Sequence, residues 1–574
     1  MYKQLNRVEQ VVFDVLSVFL ILFYSYSAVL QPASTQYHRG IYVIITYVLI
    51  FMSYKSKYLI FRILDYILLV ASIVSIGYWI LNFEAINYRT GAETLLDQYI
   101  AVIGVLIGIE LARRVVGNVF VIMGIVLLFF GVYGDYMPEI ISHAGAPFME
   151  LCTSIFYKSD GVFGIMANVL ATYVILFVLF GAFLEKSGAQ RFFIDFPLAA
   201  VGHRIGGPGK VAVIASGLFG SISGSAIANT VSTGAFTIPM MKRAGFRPHV
   251  AGGIEPAASI SGMFMPPIMG AGGFIMAELT GVPYSQIMLV AIFPAMMYVF
   301  SVFLMVHFEA KIHNVKGEKS EQSAKEILKK QWYYTMPLVV ITILMLYGYS
   351  PAYSAIIGLF TCLVVSWVRK DTRIGFKRFV EAARAGTENS LTIGATVGVI
   401  GIIIGVLTFS GLILTFADIV IELAAGRLWM TILFIALASL ILGMGVPVTA
   451  AYLITAVVAV PALLHLGVNE IAAHMIVYWL SQDSNITPPV CIAAFAGATI
   501  AGANMWKTAF TSFKFAKFLY LGPFLFGYVP AFSLDGDVTD IAKVFVIVIV
   551  GTWLYAYLLS GIWIRRLRGQ KLAT

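Results

Sequence analysis

Ser221, Ser223, Gly224, Ser225 and Asn229 fall within nine positions of one another in the stretch SISGSAIANTVSTGAFTIP, and Pro266 and Pro267 follow 27 positions after the Pro239 that closes it. A second stretch, Gly443 to Pro461 (GMGVPVTAAYLITAVVAVP), opens with Gly443, Gly445, Pro447 and Thr449; Pro488 and Pro489 follow 27 positions after Pro461. The displacement between the two sets is 222 residues throughout, and it carries Gly245 onto Gly467. These residue types share one chemistry. Glycine permits a tight tip with exposed carbonyls. Proline removes an amide donor, unwinds a helix and frees carbonyl oxygens. Ser221, Ser223, Ser225, Asn485 and Thr487 add side-chain oxygens to that set, and a hard cation such as Na⁺ needs several oxygens at once. We therefore expect Na⁺ near Ser221, Ser225, Gly443 and Thr487. Half-helix starts at the same breaks would present backbone amides to an anionic substrate.

Two carboxylates lie close to these segments. Asp483 precedes Asn485-Ile486-Thr487-Pro488-Pro489. An ionisable group at membrane depth is costly and points to an ion ligand or coupling group; the plainer reading is a cap on the following half-helix. Glu255, before Pro256, reads as an interfacial residue. Neither tip carries an arginine to clamp a carboxylate.

The elements that must hold these residues are membrane helices. Sixty per cent of the 574 residues are hydrophobic and 12% are charged. Apolar runs recur from Val11 to Trp563, each able to cross roughly 30 Å of hydrocarbon, and we count roughly 14 to 16 spans plus re-entrant pieces. The first run lacks an A-x-A-like cleavage site and reads as a retained span. The net charge of +9 sits in short loops, as at Lys55 and Lys57, Arg113 and Arg114, Arg369 to Arg378, and Arg565 to Lys571. That pattern is topological and does not call for nucleic acid. Cys152, Cys362 and Cys491 are scattered and read as buried small hydrophobes.

Residues 1–135 contain apolar runs at 11–30, 40–54, 59–82, 98–112 and 117–134 with few breaks, and read as a fused helical unit. Residues 136–574 form the main unit, with repeats at about 160–310 and 385–530. Between them Phe376–Ala385 is amphipathic, a segment along the interface or a linker helix. Lys242, Arg243 and Arg247 follow the first hairpin, whereas Lys507, Lys514 and Lys517 follow the second proline pair. The positive-inside rule then makes the repeat inverted. Gly104-x-x-x-Gly108, Gly394-x-x-x-Gly398 and Gly401-x-x-x-Gly405 read as helix contacts without a ligand.

Enzyme signatures fail. Gly220-Ser-Ile-Ser-Gly224 has Ile222 where a nucleophile elbow needs serine. There is no H-E-x-x-H and no phosphate-binding G-x-x-x-x-G-K-[ST]. Paired, broken segments in matching halves of an apolar chain point to a secondary transporter.

Several stretches resemble the fused membrane permease of tripartite ATP-independent periplasmic (TRAP) transporters, in particular the type paired with TAXI-class binding proteins. They are Glu110–Gly117 (ELARRVVG), Phe180–Gly188 (FGAFLEKSG), Ser223–Asn229 (SGSAIAN), Phe236–Arg243 (FTIPMMKR), Met265–Gly270 (MPPIMG) and Ile486–Pro489 (ITPP). The resemblance implies an all-α, inverted-repeat elevator fold with two re-entrant hairpins in a bacterial or archaeal inner membrane. It implies Na⁺-coupled import of a small organic acid delivered by an extracytoplasmic binding protein. It also implies one ion site built by Ser221 to Asn229 with Pro266 and Pro267. Gly443 to Thr449 with Thr487 to Pro489 would build a second, beside Asp483. The alternative is an ion-coupled anion symporter that acts without a binding protein.

Overall fold

The computed structural model describes residues 2–56, 59–318, 320 and 322–568, so Lys57 and Lys571 lie outside the described residues. Among the described residues every regular element is a helix. Eight helices are long and apolar enough to cross a membrane, and five shorter apolar helices accompany them. The difference from the expected number of spans has a simple cause: a span interrupted by Gly or Pro becomes two short helices.

The 222-residue displacement survives in three dimensions. Ala226–Arg243 corresponds to Val448–His465, Pro248–Phe264 begins where Glu470–Leu480 begins, and Gly270–Thr280 begins where Ile492–Ala501 begins. Each repeat is a hairpin followed by a broken helix. The first hairpin joins Gly207–Ser223 to Ala226–Arg243, and the second joins Leu428–Leu442 to Val448–His465. Local chemistry explains the turns. Gly224 takes φ +62° at the first tip and Gly445 takes φ +76° at the second, conformations that strain any residue with a Cβ. Ser225 then caps its helix by accepting a hydrogen bond from the Ala228 N–H at 3.3 Å. The breaks share backbone too: both Pro-Pro bonds are cis, and Met269 and Cys491, 222 apart, both have positive φ.

One hydrogen bond shows that the repeat is inverted. Lys242 Nζ, at the base of the first hairpin, donates to the Ala501 carbonyl at the end of the second broken helix, at 2.7 Å. In a parallel repeat those two points would stand on opposite sides of the membrane. Arg247 pairs with Glu309 at 2.9 Å, and Arg565 donates to the Ile312 carbonyl at 3.3 Å, so this same side also gathers the basic end of the chain. That is the cytoplasmic side by charge bias.

Lipid offers helices little hydrophobic reason to associate, so close backbone approach must supply dispersion contacts. A Cβ on Gly262 would lie 2.2 Å from the Gly220 carbonyl carbon, which locks the first hairpin onto its broken helix. Gly252 and Gly497 join the two repeats in the same way, since a Cβ on Gly497 would lie 2.3 Å from Gly252 O. The three G-x-x-x-G pairs do serve as helix contacts: a Cβ on Gly108 would meet Gly398 Cα at 2.9 Å, and one on Gly401 would meet Val162 at 2.5 Å.

Phe376–Ala385 is exposed over its first three residues and buried at Ala382 and Ala383. It begins the helix Phe376–Gly394, which buries Ala382, Ala383 and Gly386 against its neighbours. Arg384 grips Asp14 of the helix Arg7–Val29 through two hydrogen bonds of 2.6 and 2.7 Å. The amphipathic pattern reflects that polar tie.

Ala244→Cys and Leu466→Cys are expected to react with membrane-impermeant thiol reagents from opposite sides; labelling from one side would overturn the inverted arrangement. Gly262→Ala is expected to cost about 1–3 kcal/mol through overpacking, read as a lowered Tm in detergent.

Candidate functional site

Both tips and both breaks converge on one cavity of about 710 Å³. Ser223, Gly224 and Ser225 contribute from the first tip, and Gly445, Pro447 and Thr449 from the second. Ile268 and Gly270 enter from the first break and Ser484 and Asn485 from the second. Glu388, Asn389 and Thr392 of Phe376–Gly394 form part of the opposite wall, with Glu185 alongside. Glu185 and Glu388 are its charged lining residues, so the cavity has no basic side chain in its wall.

The remaining expected residues are placed differently. Ser221 is buried and its hydroxyl donates to Leu218 O at 2.8 Å within its own helix, turned from the cavity. Asn229 is fully buried; its amide donates to Ser216 O at 2.8 Å and to Ser259 O at 3.4 Å. It ties the arms of the hairpin to the broken helix and does not face cargo. Gly443 is buried under the second tip, where a Cβ would lie 2.7 Å from Ser484 Cβ. Pro266, Pro267, Thr487 and Pro488 are partly exposed at the breaks and Pro489 is exposed, all outside the cavity wall.

The two breaks differ in how their polar groups are satisfied. At the first, tyrosine hydroxyls donate to the freed carbonyls. Tyr284 reaches Pro267 O at 2.9 Å and Ile268 O at 2.5 Å, and Tyr478 reaches Met263 O and Met269 O at 2.6 Å each. At the second, Thr487 pairs with the Tyr520 hydroxyl. Buried polar atoms without a protein partner occur in both repeats, among them Thr230 Oγ1 and Ser259 Oγ in the first, and Ser439 Oγ, Thr449 Oγ1, both Gln482 side-chain atoms and Asp483 Oδ1 in the second. Asp483 is 2% exposed. It is not the cap of the following half-helix, which starts at Ile492 with Cys491 in the capping position. A buried carboxylate oxygen with neighbouring unpaired oxygens is chemically suited to a hard cation.

Residues 103–532, about three quarters of the chain, match the family described as "Tripartite ATP-independent periplasmic transporter, DctM component". The chain belongs to this family. The TRAP permease is 25% identical to the C4-dicarboxylate TRAP transporter large permease protein DctM of Pseudomonas aeruginosa, over 67% of this chain and 91% of that one. It is 25% identical to the 2,3-diketo-L-gulonate TRAP transporter large permease protein YiaN of Escherichia coli, over 55% and 74% respectively. It is 23% identical to the sialic acid TRAP transporter permease protein SiaT of Haemophilus influenzae, over 57% and 53%. Among solved structures, the Alcanivorax borkumensis YdaH transporter aligns with a TM-score of 0.49 and 16% identity, covering 72% of this permease and 98% of that chain.

Sequence reasoning missed several residues of the permease site. Glu388, Asn389 and Thr392 come from a helix that looked peripheral, and Gln482 lacked any signal beyond its place beside Asp483. Glu255 is a correction: it is fully buried, hydrogen-bonded to Ser216, Thr233 and Thr237, and not interfacial. The nearby Ser and Thr at helical spacing were the available clue.

Ser225→Cys should react with a water-soluble thiol reagent and Ser221→Cys should not. The native Cys152, Cys362 and Cys491 are all buried and give a low background. Equal labelling at both positions would refute the placement of the first tip.

Proposed function

We propose that this inner-membrane permease imports a small organic carboxylate coupled to Na⁺, by an elevator movement of its two hairpins and broken helices. TRAP permeases work with an extracytoplasmic solute-binding protein, and we infer a TAXI-type partner from the sequence resemblance. The observation that carries the reading is the meeting of both tips at one cavity beside the unpartnered Ser439, Thr449, Gln482 and Asp483 oxygens. These side chains, with free main-chain oxygens of the second tip, would hold Na⁺ and balance the Asp483 charge.

The cargo is an acid by two arguments. The relatives named above carry C4-dicarboxylate, 2,3-diketo-L-gulonate and sialic acid in their names, all organic acids. In this cavity the available counterweight to a carboxylate is the start of Ala226–Arg243, where Ser225 takes the Ala228 N–H, and of Val448–His465, which has no side-chain cap and turns its first-turn amides to an anion. A bound Na⁺ adds positive charge nearby. Ordered binding follows from that electrostatic arrangement: the cation first makes the acidic cavity tolerable to an anion.

NaCl, compared with KCl at equal ionic strength, is expected to raise the Tm of the purified permease, as a ligand that binds only the folded state must. Asp483→Asn should abolish that Na⁺-specific rise. It should also cut succinate uptake into proteoliposomes with the partner binding protein by about tenfold or more, equivalent to roughly 1.4 kcal/mol, with expression unchanged. A full Na⁺ response in Asp483→Asn would remove the carboxylate from the ion site, and uptake without the binding protein would favour the independent symporter.

A further inference from the structure

A second buried carboxyl group lies away from the cavity, and the proposed transport cycle does not use it. Glu255 sits midway along Pro248–Phe264 with no exposed surface. Its Oε1 meets Ser216 Oγ at 2.5 Å and the Thr233 hydroxyl, and its Oε2 meets Thr237 Oγ1 at 2.5 Å. Ser216 belongs to the inbound arm of the first hairpin and Thr233 and Thr237 to the outbound arm. One carboxyl group thus joins three helices beneath the tip.

The hydrogen count around this group is short. Ser216 Oγ and Thr233 Oγ1 stand 3.0 Å apart, Thr233 Oγ1 is 2.8 Å from Asn229 O, and Thr237 Oγ1 is 3.1 Å from Thr233 O. With the three carboxyl contacts and a 3.4 Å approach of Thr233 Oγ1 to Asn229 Oδ1, seven oxygen pairs compete for the protons of three hydroxyls. An ionised carboxylate would draw all three and leave the other pairs with lone pair facing lone pair. A proton on Glu255 supplies one further donor and reduces the shortage: Glu255 donates to Thr233, and Thr233 donates on to Asn229 O. The 2.5 Å separations lie at the short end of the range for O–H···O hydrogen bonds. They are too short for two oxygens spread around one metal ion.

Among the described residues no cation stands by to offset a charge here. On the inbound arm, Lys210 turns to His307 at 3.1 Å and to the Phe303 ring. On the outbound arm, Lys242 donates to Ala501 O and Arg243 is exposed. On Glu255's own helix His249 lies at the far end, near Arg247, which pairs with Glu309. From Tyr284–His313, the Tyr298 hydroxyl donates to Ala257 O, and Glu309 and His313 contact each other; Lys311 is at the same end. Lys507 and Lys514 of Met505–Phe515 are exposed, Ile492–Ala501 has no charged residue, and Glu278 of Gly270–Thr280 binds Asn168. A bare charge so enclosed is costly; a proton removes it.

We propose that Glu255, with Ser216, Thr233 and Thr237, is a proton-binding site that latches the first hairpin closed. The protonated carboxyl group holds both arms to the broken helix. Separation of the arms admits water, the proton leaves to it, and the carboxylate stays hydrated until the arms close again. Occupancy of the site rests on this geometry alone; a role for its proton in import rests on the transport reading above.

Infrared spectroscopy of the purified full chain at neutral pH tests occupancy without substrate or partner. A carboxylic-acid C=O stretch that shifts in D₂O is expected in the native protein and in Asp483→Asn, and is lost in Glu255→Gln. Thr237→Val, which removes the donor to Oε2, should move the same band to higher wavenumber. A native spectrum with no band that Glu255→Gln removes, or a band indifferent to Thr237→Val, overturns the site. The latch is read from the thiol-labelling rate of Ser225→Cys. The rate ratio between the chain with Glu255 and the chain with Glu255→Gln should rise several-fold from acid to alkaline pH, the glutamine acting as a permanent latch. A ratio that stays flat across pH overturns the latch. Absent Na⁺-dependent uptake would sink the transport reading and leave both readouts intact.

Discussion

The structure depends on one constraint: main-chain N–H and C=O groups that leave a helix at membrane depth must find a partner. Two hairpin tips and two Pro-Pro breaks violate helical pairing in this chain, and the solutions differ between repeats. The first break is closed from within, by the Tyr284 and Tyr478 hydroxyls. The second leaves side-chain oxygens at Ser439, Thr449, Gln482 and Asp483 without protein partners. The repeats match in backbone and differ in chemistry. A pseudo-symmetric frame can therefore carry the asymmetric task proposed above, a cation in one half and a protonated carboxyl group in the other.

Contacts between repeats make them one packed body. Tyr478 of the second repeat satisfies the first break, Gly497 abuts Gly252, and Lys242 reaches Ala501. Each tie would have to break for one hairpin unit to move without the other. Movement together, against a wall that includes Phe376–Gly394, is the economical displacement for such an arrangement. The wall is itself anchored to the N-terminal helix through Arg384 and Asp14.

Glu255 and Asp483 show how burial divides the work of two acids. Asp483 lies in the tight turn Asp483–Asn485 with an oxygen left over, the opening that the proposed cation would fill. Glu255 is encircled by three hydroxyls whose oxygen contacts outnumber the protons they carry. The first environment suits a metal ion with several oxygen ligands, and the second suits a single proton.

The 222-residue repeat, the helical class, the broken spans and the inverted topology were legible in the sequence, because Gly and Pro act on the backbone where they stand and basic residues mark their own side of the membrane. Helix starts at 226 and 448, 248 and 470, and 270 and 492 follow that register. Which residues face the cavity was legible only in part: Ser223, Gly224, Ser225, Gly445, Pro447, Thr449 and Asn485 line it, and the other expected residues do not. Ser221 and Ser225 lie four positions apart, yet one bonds within its helix and the other lines the cavity beyond the turn at Gly224. Asn229 is buried and bonds to Ser216 and Ser259 away from the cavity lining, Glu255 looked interfacial and is buried, and Phe376–Ala385 is exposed at its start and joins the packing through Ala382, Ala383 and Arg384. In each case the deciding neighbours come from other helices, such as Ser259 for Asn229, Ser216 and Thr233 for Glu255, and Asp14 for Arg384. Local sequence sets where the chain bends; the direction and partner of a polar side chain depend on helices brought together by packing.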